Sequence, residues 1–412
     1  MKQSIVNISS LVGIVPEGIL RKQGPEMNEV QSLEGAYITF EDGLITDFGR
    51  MENFQPSGEK IIDADWSMVI PAFCDSHTHI VYAGCRDGEF LDKINGLSYE
   101  QIAARGGGIL NSSDLLRETS EEDLYYQALS RVCEMMSKGS AAIEIKSGYG
   151  LDTEGELKSL RVIKRIKESV PALIKATFLG AHAVGRAYTG RKDEYVNLVC
   201  DEMIPRVAEE GLADYVDVFC DEGFFTPEDT AKILEAGAKY GLKPKIHANE
   251  LAVSGGVQVG VKYGALSVDH LERTTAAEIE ALKGSNTMPT MLPGSSFFLG
   301  LPYGKAKDFI EAGLGIALAS DFNPGSSPSG DMRFVMALGC IQMRLTPAQA
   351  LNACTLNGAY AMGCSEVTGS ITVGKRSDLI LCRKGFNLTQ IPYLYQTPFV
   401  RENFIGGATL SK

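Results

Sequence analysis

The sequence predicts an α/β fold: a closed barrel of eight βα units, with a small β domain assembled from the two chain ends. Three observations carry this. From Met68 onward, short β-branched runs alternate with longer stretches of helical periodicity, the pattern of a parallel sheet covered by helices. Eight such runs occur, the number that closes a barrel. The segments before and after this region contain short β-like pieces and turn residues but no long amphipathic helix.

The eight strand candidates are 68–79, 141–147, 174–182, 215–220, 244–250, 266–270, 287–292 and 316–321. An open doubly wound sheet is the competing arrangement; the count of eight and the short last runs favour the barrel. Helices between them carry start and stop signals. Thr226 can cap a helix with Pro227 at its first position and Gly241 beyond its end, and Ser120 and Gly139 bracket another. The barrel is expected over 68–368. Residues 1–67, with 36-AYITFEDGLITDFG-49, and 369–412, with 369-GSITVGKRSDLILCRKG-385, are expected to meet as one composite domain.

Composition narrows the function. The 412 residues carry a formal charge of −13, which argues against a nucleic-acid partner, since phosphate binding needs a basic footprint. Such a field does not steer an anion either, so an anionic substrate would need local cations. Nine cysteines, an odd number without a CxxC pair, read as reduced thiols of a cytoplasmic protein. The first residues lack an apolar core and an A-x-A site, so no signal peptide is expected. No apolar run approaches the roughly 18 residues of a membrane span.

All five histidines fall at expected strand ends: His77 and His79 on the first strand, His182 on the third, His247 on the fifth and His270 on the sixth. The eighth ends in Asp321. Strand ends of a parallel barrel converge on one face. Residues two apart on a strand point the same way, so His77 and His79 can face one cation. A lone strand-end histidine is more often a core or surface residue than a ligand. All five at strand ends is improbable by chance, and His77 and His79 with His247 and Asp321 make a set of N and O ligands suited to Zn²⁺ or Fe. Glu250, three residues past His247, suits a proton shuttle beside such an ion, although a helix-start acid is the commoner role for such a residue. Asp75, on the same strand face as the HxH pair, reads as a buried acid that orients a ligand histidine. For an anionic substrate, the sequence offers Arg86 after the first strand, Lys146 and Tyr149 in 144-EIKSGYG-150, and the backbone N–H groups of 321-DFNPGSSPSGD-331. The run 105-RGGGI-109 reads as a lid or a flexible loop.

PAFCDSHTH, HANE, SVDHLE and SDFNPGSSP together resemble the amidohydrolase superfamily. EIKSGYG, TFLGAHAV, LPGSSFFLG and AGCRDGEF narrow the resemblance to its imidazolonepropionase family, over nearly the whole chain. The family carries a Gly-Gly-Ser-like tract where this chain has Ala83-Gly84-Cys85; the arginine stays in place. The resemblance implies a distorted (β/α)8 TIM-like barrel with a composite β-sandwich domain. It implies one Zn²⁺ or Fe³⁺ per subunit on His77, His79, His247 and Asp321. Substrate contacts would be Arg86, Tyr149, His182, Glu250, Asn323, Gly325 and Ser326. Glu250, His270, Asp321 and His182 would act in catalysis, His182 by hydrogen-bonding the carbonyl side. The implied reaction opens the cyclic amide of 4-imidazolone-5-propanoate to N-formimidoyl-L-glutamate in histidine degradation, in a cytoplasmic homodimer. A cytosine- or guanine-type deaminase is the nearest rival. A hydrolase of a dihydroorotate-like ring is disfavoured, because 215-YVDVFC-220 has no lysine to bridge two metals. A non-catalytic barrel that binds a metal or small ligand is the remote alternative.

Overall fold

A computed structural model describes residues 2–97, 101, 105 and 107–410. Among the described residues, sixteen strands form two sheets. The first is mixed and contains β1 (Lys2–Ile14), β2 (Gln31–Glu41), β3 (Leu44–Arg50), β4 (Lys60–Asp63), β5 (Val69–Pro71), β14 (Leu379–Cys382), β15 (Val400–Ile405) and β16 (Ala408–Leu410). Its order is β16-β15-β14-β5-β1-β2-β3, with β4 also on β1, so strands from both chain ends are hydrogen-bonded together. Alternate side chains on these strands, among them Ile5, Ile38, Phe40, Leu379 and Phe404, bury a core of their own.

The second sheet is parallel throughout: β6 (Phe73–Asp75), β7 (Ser140–Lys146), β8 (Leu173–Ala181), β9 (Tyr215–Cys220), β10 (Lys243–Ala248), β11 (Ser267–His270), β12 (Met288–Met291) and β13 (Ala317–Leu318), neighbours in chain order. Past β6 and β13 the chain pairs once more. Asp321 N–H donates to His77 O and His79 N–H to Phe322 O, both at 2.9 Å, and these bonds bring the first strand to the last. The fold is therefore the expected eight-stranded barrel with a separate mixed sheet.

The expected first strand, 68–79, is in fact two. Val69–Pro71 pairs with β1 and β14 in the mixed sheet, whereas Phe73–Asp75 pairs with β7 in the barrel. One continuous apolar run thus serves two cores, and burial alone gives no sign of the change of partner. Helix signals act as read: Ser120 caps Glu121–Ser137, and Thr226 forms a reciprocal capping box with Asp229 at Pro227–Ala238. No described helix is long and apolar enough to cross a membrane. All nine cysteines are free thiols. Of the RGGGI run, Gly106 lies outside the described residues, so its role as a lid is not described; Ile109 begins the helix Ile109–Glu118.

Candidate active site

Strand alternation turns His77, His79 and His247 inward, each no more than 2% exposed. The Nε2 atoms of His77 and His79 are 3.1 Å apart, and those of His79 and His247 3.3 Å. The far nitrogens of two of these rings are anchored on carboxylates: His77 Nδ1 lies 2.7 Å from Asp269 Oδ2, and His247 Nδ1 2.9 Å from Asp217 Oδ2. A carboxylate that accepts from Nδ1–H leaves the lone pair on Nε2. Burial, and after it the charge of Lys146, pushes His77 well below the ordinary imidazole value; burial followed by His182 does the same for His79. Neutral rings that crowd their lone pairs together repel one another unless a cation sits between them, which is the chemistry of a metal site. Asp321 Oδ1 stands 3.6 and 3.5 Å from the Nε2 atoms of His77 and His79. At φ +52° its backbone is left-handed, which turns the carboxylate inward, and Ser295 donates to its other oxygen. Three imidazoles and a carboxylate fit a single Zn or Fe ion.

Beneath this cluster lies an ionic group that the sequence reading missed. Lys146 Nζ is 2.7 Å from Glu144 and 2.8 Å from Asp217, and 3.6 Å from Asp269. Lys245 donates to Glu144 and to Ser76 O. All five side chains are fully buried. Lys146 is therefore no substrate cation, contrary to expectation: it ties together the two carboxylates that orient His77 and His247. Asp75 does not orient a ring either. Its Oδ1 accepts from Ser320 N–H at 3.0 Å, and burial raises its pKa to about 7.

Above the histidine cluster a cavity of about 600 Å³ opens, bordered by Arg86, Tyr149, His182, Glu250, His270, Asp321, Asn323, Gly325 and Ser326. Of the residues singled out in the sequence for metal, substrate or catalysis, these border the cavity together with His79 and His247, His77 lies just below it, and Lys146 does not reach it. His182 donates Nδ1–H to Gly148 O at 3.0 Å and stacks on His79 at 5.1 Å. Burial and the nearby His247 lower its pKa to about 3, so the ring is neutral and Nε2 is an acceptor. Tyr149 sits on a loop fastened by Glu156, which accepts from the N–H groups of Gly148, Gly150 and Leu151.

His270 follows the inward-facing Asp269 and in regular alternation would point outward. Its φ of +85° breaks the alternation and brings Nε2 to 3.6 Å from Glu250. Burial opposes its protonation, but Glu250 and Glu272 outweigh burial and hold its pKa well above the usual value. Burial raises Glu250 to about 7 against the pull of His270. Asp221, which the sequence reading passed over, accepts from the N–H groups of Glu250, Leu251 and Ala252 at 2.8 to 3.0 Å and fixes that turn.

The loop after Asp321 differs from expectation. The N–H groups of Gly325 and Ser326 both donate to Asn323 Oδ1, at 2.7 and 2.8 Å, so they are not pointed at an anion. Beside this loop stands Arg86: its guanidinium lies against Gly325, where an added Cβ would meet Nη1 at 2.3 Å, and Nε and Nη2 donate to Glu89.

Residues 68–407 match the model of the amidohydrolase family. The imidazolonepropionase of Flavobacterium johnsoniae is 52% identical, covering 98% of each chain. Among solved structures, Escherichia coli guanine deaminase is similar with a TM-score of 0.77 at 12% identity, over 100% of this chain and 99% of its own. An adenosine deaminase from Xanthomonas campestris with bound zinc has a TM-score of 0.70 at 16% identity, over 99% and 92%. These two distant structures share the fold, while the Flavobacterium johnsoniae relative matches over nearly the full length of both chains: the chain is a metal-dependent hydrolase and belongs to the imidazolonepropionase family of the amidohydrolases.

Proposed function

We propose that the chain opens the ring amide of 4-imidazolone-5-propanoate to N-formimidoyl-L-glutamate, the hydrolytic step of histidine degradation. One observation carries the reading most: a histidine cluster able to hold a metal, a Glu250–His270 pair and a basic wall meet at one cavity. His77, His79, His247 and Asp321 would hold one Zn²⁺ or Fe³⁺, which when bound supplies Lewis acidity toward water and the ring carbonyl. Asp321 Oδ1, beside the two histidines, takes the proton of the attacking water. His270, placed between Glu250 and Glu272, stabilises the charge that grows on the carbonyl oxygen. The C–N bond then breaks, and Glu250, neutral near its pKa of about 7, hands its proton to the departing nitrogen. The Nδ1 bond to Gly148 supports a different role for His182 from the expected one: its Nε2 accepts a ring N–H and orients the substrate, and does not donate to the carbonyl. Tyr149 and Arg86 hold the propanoate.

Purified protein of known metal content, assayed on freshly made imidazolonepropanoate, tests this. Formation of N-formimidoylglutamate is expected. Ammonia from guanine or cytosine, with no turnover of imidazolonepropanoate, would establish the deaminase reading in its place. A homodimer in the cytoplasm completes the proposal, the former tested by sedimentation.

A further inference from the structure

The cavity wall holds one cation that this mechanism leaves unused. Lys93 is on the helix Asp87–Ile94, half-buried, with Nζ 2.9 Å from Gly325 O and 5.3 Å from the ring centre of Phe298. Among the described residues no carboxylate pairs with it, and its two contacts are a carbonyl and a ring. Arg86 differs, since Glu89 takes both Nε and Nη2. Formal charges at this wall are then +1 for Arg86, −1 for Glu89 and +1 for Lys93. The surplus positive charge stands at Lys93. Burial, and next the Arg86 guanidinium, hold this ammonium below its usual value, so an arriving anion relieves an existing penalty. Gly325 joins the two cations: the guanidinium rests against its α-carbon, and the ammonium donates to its oxygen. The backbone N–H groups of this loop are already taken by Asn323.

We infer that Lys93 is a specificity-determining residue: with Arg86 it forms a two-point anion seat across Gly325, and it selects substrates that carry a carboxylate. Lys93 is a single charge and Arg86 a planar fork, so the first discriminates by charge and the second by orientation. The inference rests on the proposed substrate and deepens it.

The test is steady-state kinetics of the metal-loaded wild type, K93M and K93R on imidazolonepropanoate and on its propanamide analogue. A lost hydrogen bond to a charged group predicts that K93M raises KM for the carboxylate about 10- to 100-fold, with kcat and metal content nearly unchanged. KM for the amide should stay within about twofold of wild type, and K93R should recover most of the loss. An unchanged KM for the carboxylate overturns the inference. So does an equal rise for acid and amide, which would make Lys93 only a latch on Gly325. Absence of wild-type turnover would count against the proposed substrate alone. Calorimetric binding of imidazole-4-propanoate and its amide then tests Lys93 by itself: a preference for the acid that K93M does not reduce overturns it.

Discussion

Asp269→Asn should weaken metal binding without weakening the fold. Asp269 accepts from His77 Nδ1 at 2.7 Å and from Ser267, and lies 3.6 Å from Lys146 and 3.9 Å from Lys245. Its buried group contains three carboxylates, of Glu144, Asp217 and Asp269, and two ammoniums, of Lys146 and Lys245. The sum is −3 + 2 = −1, and the substitution makes it −2 + 2 = 0. Neither lysine is orphaned, because Lys146 keeps Glu144 and Asp217 and Lys245 keeps Glu144. The metal-free protein therefore loses at most the difference between a charged and a neutral hydrogen bond, about 1 kcal/mol. That is well below the roughly 3–5 kcal/mol that follows when a buried charge loses its partner.

The effect on the metal is larger. An amide oxygen accepts from His77 less strongly and leaves the ring a poorer donor. If the amide nitrogen faces the ring instead, the tautomer inverts, and a proton appears on Nε2, only 3.1 Å from His79 Nε2. Partners of this kind are worth about 10- to 100-fold in metal affinity, or about 1.4–2.7 kcal/mol. Competition against a chromogenic Zn²⁺ chelator reads the affinity, and thermal melts with and without metal read the fold. The metal-induced rise in Tm should shrink while the metal-free Tm stays near that of wild type. Affinity within about twofold of wild type would refute the assignment of Asp269 as the orienting group for His77.

Lys146→Met should do the reverse. It takes the buried sum from −1 to −2 and leaves Asp217 without its closest ammonium, so urea melts of the metal-free protein should show a loss of about 3–5 kcal/mol; a change under about 1 kcal/mol would remove Lys146 from the network. Gly325→Ala places a methyl 2.3 Å from Arg86 Nη1; KM should rise while metal content stays stoichiometric, and an unchanged KM would show that Arg86 does not need this approach. Glu250 must be protonated to act as an acid. With a pKa of about 7 the neutral form prevails below that pH, so kcat should fall as pH rises through about 7, on a limb that belongs to the coupled Glu250–His270 pair. A kcat that stays flat from roughly pH 6 to 9 would contradict that role.

Much of the fold was legible because a barrel repeats its signal. Eight β-branched runs, each followed by helix and several of those helices capped by a side chain, state the topology many times over, and a shift of one or two residues at an end changes nothing. The run 68–79 was misread for a reason equally physical: Val69, Ile70, Phe73 and Cys74 are all fully buried, and only the hydrogen-bond partner changes between Pro71 and Phe73. The candidate site residues stood out because histidines are scarce and fall at strand ends. Their conformations were less legible. Nothing in SVDHLE announces that His270 has φ +85° and Leu271 +69°, although without that break of alternation Asp269 and His270 would face opposite sides. Nor does FNPGSS show that Asn323 takes the N–H groups that seemed ready for an anion; an Asx turn and an anion site draw on the same residues.

The buried ionic group was within reach of an argument already in use. Alternation at two residues aligned His77 with His79, and the same step one level deeper lands on charged residues in strands otherwise apolar. Lys245 lies two before His247 on β10, and Glu144 two before Lys146 on β7. Asp217 on β9 pairs with Lys245 in the ladder, and Asp269 on β11 with His247. A charged side chain almost never occupies the interior of a parallel sheet unless another compensates it. Glutamate and lysine two apart in EIKS, a lysine below HANE, and lone aspartates in YVDVFC and SVDH therefore had to find one another somewhere inside the barrel. The place follows from the ladder register: directly beneath the histidines, where the carboxylates can take the Nδ1 protons.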